Sequence, residues 1–271
     1  MMDLHNVQNL NIENHDAVLK GLRELRQVAE RYIEADFISV TFISIAMLVS
    51  TYKLRVLQQA SEHVPALIIA PIVFIDLLIY FLGPYTKLKD SLRLFYKLSP
   101  NDFEAVVRMI GVDKLLLISI SILIGIGVEG YFMGSPYSVV LLGISFAWFS
   151  VLVLILSAAR MVFLLRLRDM FNSTPLNVAG TITIVPLATL LIPGLYSLAM
   201  LTLGLYTAVG VAVSVATSLL VYFIIDISVW ILVHVEASTL ESKIEKLLKS
   251  SDKREATKNI GCTGSVTIPP L

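Results

Sequence analysis

Apolar residues in this chain come in long blocks separated by short polar stretches, and the blocks read as membrane-crossing helices. The longest block, 178–235, contains no Lys, Arg or Glu; its ionisable groups are Asp226, His234 and a few Tyr. A crossing needs about 20 apolar residues to span a hydrocarbon layer of roughly 30 Å, so this block holds two generous crossings or three tight ones. Four more blocks precede it, at 37–52, 65–83, 115–133 and 137–165. Pro65 opens the second where proline suits a helix start. Gly134, Ser135 and Pro136 join the third and fourth in a tight turn.

The polar stretches carry a helical period of their own. Over 16–34, Val18, Leu22, Leu25, Ala29 and Tyr32 share one face while charges occupy the rest. This predicts an amphipathic helix lying on the membrane or against a partner, or else a solvated run-in to the first crossing. Residues 85–114 form the largest connection and predict two short amphipathic helices. The second would start at Ser99-Pro100-Asn101-Asp102, bury Phe103, Val106, Val107 and Ile110, and stop at Gly111. After the long block, Leu240, Ile244, Leu247 and Leu248 share a face of a charged helix over 238–256, and the last dozen residues read as disordered. The expected fold is all-α, a polytopic membrane helix bundle over 36–237 with amphipathic cytoplasmic helices. The flanks are an N-terminal segment, 1–35, and a charged helix with its tail, 238–271.

Basic residues orient such a bundle. Lys20, Arg23, Arg26 and Arg31 lie before the first crossing, and only Lys53 and Arg55 in the first link. The second link holds Lys87, Lys89, Arg93, Lys97, Arg108 and Lys114, and the fourth Arg166 and Arg168. The tail holds Lys243, Lys246, Lys249, Lys253, Arg254 and Lys258. Two crossings in 178–235, turning near 204–207, put every basic segment but the first link on one side. The expectation is therefore six transmembrane helices in the cell membrane with both termini cytoplasmic. A seventh helix, or a re-entrant piece around Pro186 and Pro193, is the alternative. The sequon at Asn172 then faces the cytoplasm and stays unmodified.

Composition agrees. The 271 residues are 56% hydrophobic and 15% charged, with a mean hydropathy of +0.80, where a soluble domain carries roughly 25% charge. Zero formal net charge removes a global polyanion-binding signature, and a lone Cys262 rules out an intramolecular disulfide. The polar, acidic first 35 residues do not look like a cleavable signal, so the first crossing is expected to insert itself.

Two carboxylates stand out as candidates for chemistry. Asp76 lies about 11 residues before Lys87, or roughly 16 Å along a helix, and Asp226 about 10 residues before Glu236. Both are expected near the bilayer midplane on helices that run the same way. A charge there costs at least ~2.5–3.5 kcal/mol, so it pairs, faces the bundle interior or is neutral. Proton or cation handling is one reading, and a structural Asp joining helices or subunits is the other. No cation stands at matching depth in the sequence, Arg160 being read as too near the inner edge. Small residues repeat every four positions, Ala208, Ala212 and Ala216 beside Gly210, Ser214 and Ser218, which suits close helix packing within the subunit or self-association into a homo-oligomer.

Enzyme patterns are not met. Gly143-Ile144-Ser145-Phe146-Ala147 is similar to the serine segment of rhomboid proteases, but His234 is expected at the opposite end of its crossing and the histidine-glycine pattern is missing. Gly261-Cys262-Thr263-Gly264-Ser265 lacks the Gly-Lys-Ser/Thr ending of a phosphate loop, and the four histidines have no metal-ligand spacing. The expectation is a non-enzyme with no cofactor and no metal.

The helices of 37–52, 65–83, 115–133, 137–165 and 178–235, with the acidic amphipathic N-terminus, lone Cys and charged helical tail, give an outline that resembles the CedA family. These are the multi-pass subunits of the crenarchaeal DNA-exchange import system. The resemblance implies an archaeal membrane channel or scaffold that works in the lipid bilayer with small membrane subunits and a separate ATPase, and that passes DNA. It assigns no residue a role. A passing polyanion would be repelled by ionised Asp76 or Asp226, so on this reading both should be neutralised or off the path. A proton-coupled or small-solute transporter using the midplane carboxylates is the alternative.

Overall fold

The computed structural model describes residues 12–56, 84–111, 138–185 and 208–261, together with Ser119 and Ala188. Every element among them is a helix: α1 (Ile12–Val56), α2 (Pro84–Leu98), α3 (Pro100–Gly111), α4 (Ser138–Phe171), α5 (Thr174–Ile182) and α6 (Ala208–Gly261). The expected second and third crossings, the stretch that decides between six and seven, Asp76, and the tail from 262 onward all lie outside the described residues.

The first and last helices are longer than the sequence reading had them. α1 runs through both the amphipathic segment and the first crossing, and α6 through both the last crossing and the charged helix. The joins, Ile33-Glu34-Ala35-Asp36-Phe37 and Val235-Glu236-Ala237-Ser238-Thr239, contain neither proline nor glycine, so a change from apolar to polar surface does not interrupt the backbone hydrogen bonds. At 45 and 54 residues these helices are about 68 and 81 Å long, well over twice a hydrocarbon layer.

The buried face of α1 meets neither a membrane surface nor another protein. Val18, Leu22, Leu25, Ala29 and Tyr32 are buried against the chain's own helices, in one core with Leu88, Leu92 and Phe95 of α2, Phe103, Val106 and Ile110 of α3, and Ala237, Leu240 and Ile244 of α6. α2 and α3 are a hairpin across Ser99, whose hydroxyl donates to Asp102 at the start of α3. The Tyr85 hydroxyl closes its open end on the Ile110 carbonyl at 2.7 Å.

Phe95 is the hub of this core. Its ring lies 6.0 Å from that of Phe103, 5.9 Å from Phe163 and 6.4 Å from Phe171. On its remaining side is Gly21, where a Cβ would sit 3.0 Å from Phe95 Cζ. The ring is hemmed in by the other three aromatics and has nowhere to swing. Gly21→Leu is therefore expected to cost about 1–3 kcal/mol by overpacking. An unchanged melting temperature in detergent would show that α1 and α2 are free to separate there.

α4 ends in a turn that sets up α5. Asn172 takes a left-handed φ of 48°, and the Ser173 N–H reaches back to the Arg168 carbonyl at 3.2 Å, the closure of a Schellman turn. The Ser173 hydroxyl then caps α5 by accepting from the Leu176 N–H, and donates to Glu236 of α6 at 2.7 Å.

Surface chemistry divides along the long helices. Large exposed apolar side chains run from Phe37 (66% exposed) to Leu48 (71%) on α1, and through Ile144, Val151 and Leu154 on α4 and Val221, Ile224, Ile231 and Val235 on α6. The exposed positions beyond these, such as Lys20, Arg23, Glu30 and Glu34 on α1 and Lys243, Lys246 and Lys249 on α6, are polar. Among the described residues one stretch, Thr217–Ser250, is long and apolar enough to cross a membrane.

Candidate functional site

Asp226 is 1% exposed, and its carboxylate pairs with the guanidinium of Arg160, whose side chain is 4% exposed. This corrects the expectation that no cation stands at its depth. The sequence reading measured Arg160 from the basic residues at 166 and 168, but α4 continues to Phe171. Counted from there Arg160 is 11 residues in, and Asp226 is 10 residues in from Glu236. With α4 and α6 joined at Ser173–Glu236, both reach the same level, about 15–16 Å along their helices.

Aromatic rings close the site. Tyr32 of α1 and Trp230 of α6 stack with centroids 4.2 Å apart and planes 3° from parallel. The Arg160 guanidinium carbon is 5.0 Å from each centroid. An equal distance to two parallel rings puts the cation at the rim of the stack, so the rings chiefly exclude water from it. Their hydrophobic bodies also lower the local dielectric, which strengthens the attraction between guanidinium and carboxylate.

Asp36 of α1, fully buried, belongs to the same cluster. It acts electrostatically on Tyr32 together with Arg160, Asp226 and Tyr222. Ser39 of α1, Ser157 of α4 and Ser218 of α6 are buried nearby in sequence on the same three helices, and Ser39 donates to the Ala35 carbonyl at 3.0 Å. Sequence reading used Asp36 only to mark the start of the first crossing. The signal that places it was the period: Ala29, Tyr32, Asp36 and Ser39 continue the buried stripe of α1 at spacings of three and four. Arg160 stands likewise in the buried row Leu156, Arg160, Phe163, Leu167 and Phe171.

This arrangement can fasten three helices at one level. A guanidinium stays protonated at any physiological pH, so the pair is charge against charge. Burying both ions costs several kcal/mol each, which their mutual attraction recovers only with good geometry. Such a pair adds little net stability but penalises every packing that separates the partners.

Beyond the cluster, α1 and α6 are stitched together antiparallel. Arg23 bonds Glu241 at 2.7 Å and Glu245 at 2.8 Å, and Arg26 bonds Glu241 at 3.0 Å. The hydrogen bonds Arg23 donates to Glu241, then Glu245, raise its pKa above the usual value. Exposed pairs of this kind contribute little stability each; what they set is register. Of the small-residue rows, Ser218 is buried. Among the described residues no group of three or more His, Cys, Asp or Glu is placed to hold a metal ion. No protein-family model matches the chain, and no curated protein or solved structure is similar to it at a significant level.

Proposed function

We propose that this chain is a multi-pass subunit of the cell membrane, a channel or scaffold in a multiprotein transport machine, with DNA import its task. Both termini would be cytoplasmic, and small membrane subunits and a separate ATPase would be its partners. The Arg160–Asp226 pair carries the reading. A conduit for a polyanion cannot present a bare carboxylate, and Asp226, the candidate carboxylate among the described residues, is buried and paired. The resemblance in outline points the same way, as do α1 and α6, whose polar ends extend as a stitched pair able to dock a motor. The pairing of Asp226 with Arg160 lends the transporter reading no support of its own.

The test is gentle detergent purification from the native membrane, with mass spectrometry of what accompanies the protein and DNA uptake assayed in a clean deletion strain. Recovery of small two-pass membrane proteins with an ATPase, and loss of uptake on deletion, are the expected results. Wild-type uptake in the deletion strain would rule out the DNA-import reading. Recovery of the chain alone would favour a self-sufficient transporter.

A further inference from the structure

Three lysines form an outward row on the polar end of α6. Lys243, Lys246 and Lys249 are all exposed and recur every three residues, which places them along one side of the helix at about 4.5 Å of rise per step. The acidic residues of the same segment are turned elsewhere. Glu241 and Glu245 bond Arg23 and Arg26 of α1, and Leu240 and Ile244 face the core. The interhelical stitching thus takes up the carboxylates that would otherwise neutralise these lysines. On α1, which runs antiparallel alongside, the described exposed groups drawing level are Asp16, Lys20 and Arg23; the first two cancel, and Arg23 is engaged by Glu241 and Glu245. The chain's zero net charge therefore hides a sorted surface, with the negative charge of this segment of α6 turned toward α1 and the positive charge outward.

We infer that this lysine row binds the phosphate backbone of single-stranded nucleic acid, on the side of the membrane where the proposed machine hands its cargo on. The inference rests on the DNA-transport reading for its biological sense, and on the sorting of charge for the site itself. Anionic lipid headgroups carry phosphate too, but distance counts against them. Among the described side chains of α6, Val235 is the last large exposed apolar one, and Lys243 to Lys249 lie about 12–21 Å further along a helix with no break. A headgroup layer about 5–8 Å deep beyond Val235 and a Debye length of about 8 Å at physiological salt bring Lys243 within reach of lipid phosphate but leave Lys246 and Lys249 screened from it. A flexible polyanion can come to the row.

The experiment uses the full chain in nanodiscs of neutral lipid and a fluorescent single-stranded oligonucleotide, with anisotropy followed as salt is raised. Each phosphate neutralised on a single strand contributes about −0.7 to the slope of log K against log salt, so three lysines should supply about −2. Lys243→Gln/Lys246→Gln/Lys249→Gln should flatten the slope by that amount. Between 50 and 200 mM salt the wild type should then lose about 16-fold more affinity than the variant, and Arg at all three positions should restore the wild-type slope. An unchanged slope in the Gln variant, no binding by the wild type, or binding that appears only with anionic vesicles would each overturn the inference. The two readings fail separately. Normal binding with wild-type DNA uptake after deletion sinks the import function and leaves the site, whereas lost uptake with an unchanged slope sinks the site and leaves the function.

Discussion

Arg160→Ala should be among the most destabilising single changes in this chain, lowering unfolding free energy by about 3–5 kcal/mol. Removing one partner of a buried pair leaves the other charged or forces it to take up a proton in apolar surroundings, and costs of that size follow. Asp226, 1% exposed and paired with a guanidinium at the rim of the Tyr32–Trp230 stack, has little access to water that could compensate. Asp226→Leu should be nearly as harmful, because it strands the guanidinium. Arg160→Met/Asp226→Leu, which removes both charges and keeps apolar volume, should recover most of the loss. Melting of the wild type, Arg160→Met, Asp226→Leu and the double variant in one detergent closes the cycle, and a coupling energy near zero would mean that the pair does not hold α4 against α6. A total loss of about 5 kcal/mol approaches the whole stability of many domains, so the double variant also separates a lost interaction from a chain that fails to fold.

The faces of the helices were legible in the sequence because burial follows the 3.6-residue period. Val18, Leu22, Leu25, Ala29 and Tyr32 are buried as their spacing predicts, as are Phe103, Val106 and Ile110 of the hairpin. What each face meets was not legible. Periodicity says that a stripe must be covered, and a membrane surface, a partner or a distant helix of the same chain all satisfy it. The antiparallel pairing of α1 with α6 depends on residues more than 200 positions apart, Arg23 with Glu241, and no local pattern encodes that. Depth failed for a related reason. It was measured from the nearest charged residues, whereas α4 runs past Arg166 and Arg168 to a turn made by Asn172 and Ser173. Ionisable residues look like boundary markers when read singly. Asp36 and Arg160 belong to the buried stripes of their helices, and continuing those stripes through the charged positions would have exposed the cluster. Asp76, the other candidate, lies outside the described residues.

Phe95→Ala should cost a further large amount, about 3–5 kcal/mol, but in a different place. The ring touches Phe103, Phe163, Phe171 and the open side of Gly21, so its removal empties the junction of α1, α2, α3 and α4 at once. That junction belongs to the polar end, where the exposed positions are polar and burial of apolar area from water is the main driving force. The ion-pair site, by contrast, is held chiefly by specific pairing. Loss of Phe95 should therefore open the α2–α3 hairpin before it disturbs α4 and α6. Trypsin sites at Arg93, Lys97 and Arg108 report this opening. If cleavage follows the open population, 3–5 kcal/mol corresponds to an acceleration of about 10²–10³-fold or more at those sites. Cleavage beyond Lys243 should change far less, because α6 keeps its bonds to Arg23 and Arg26. An unaltered hairpin rate would show that the aromatic junction does not close the polar end. Equal acceleration at both places would mean that α1, α2 and α6 open as one unit, so that a disturbance at the polar end would be felt directly at the buried pair.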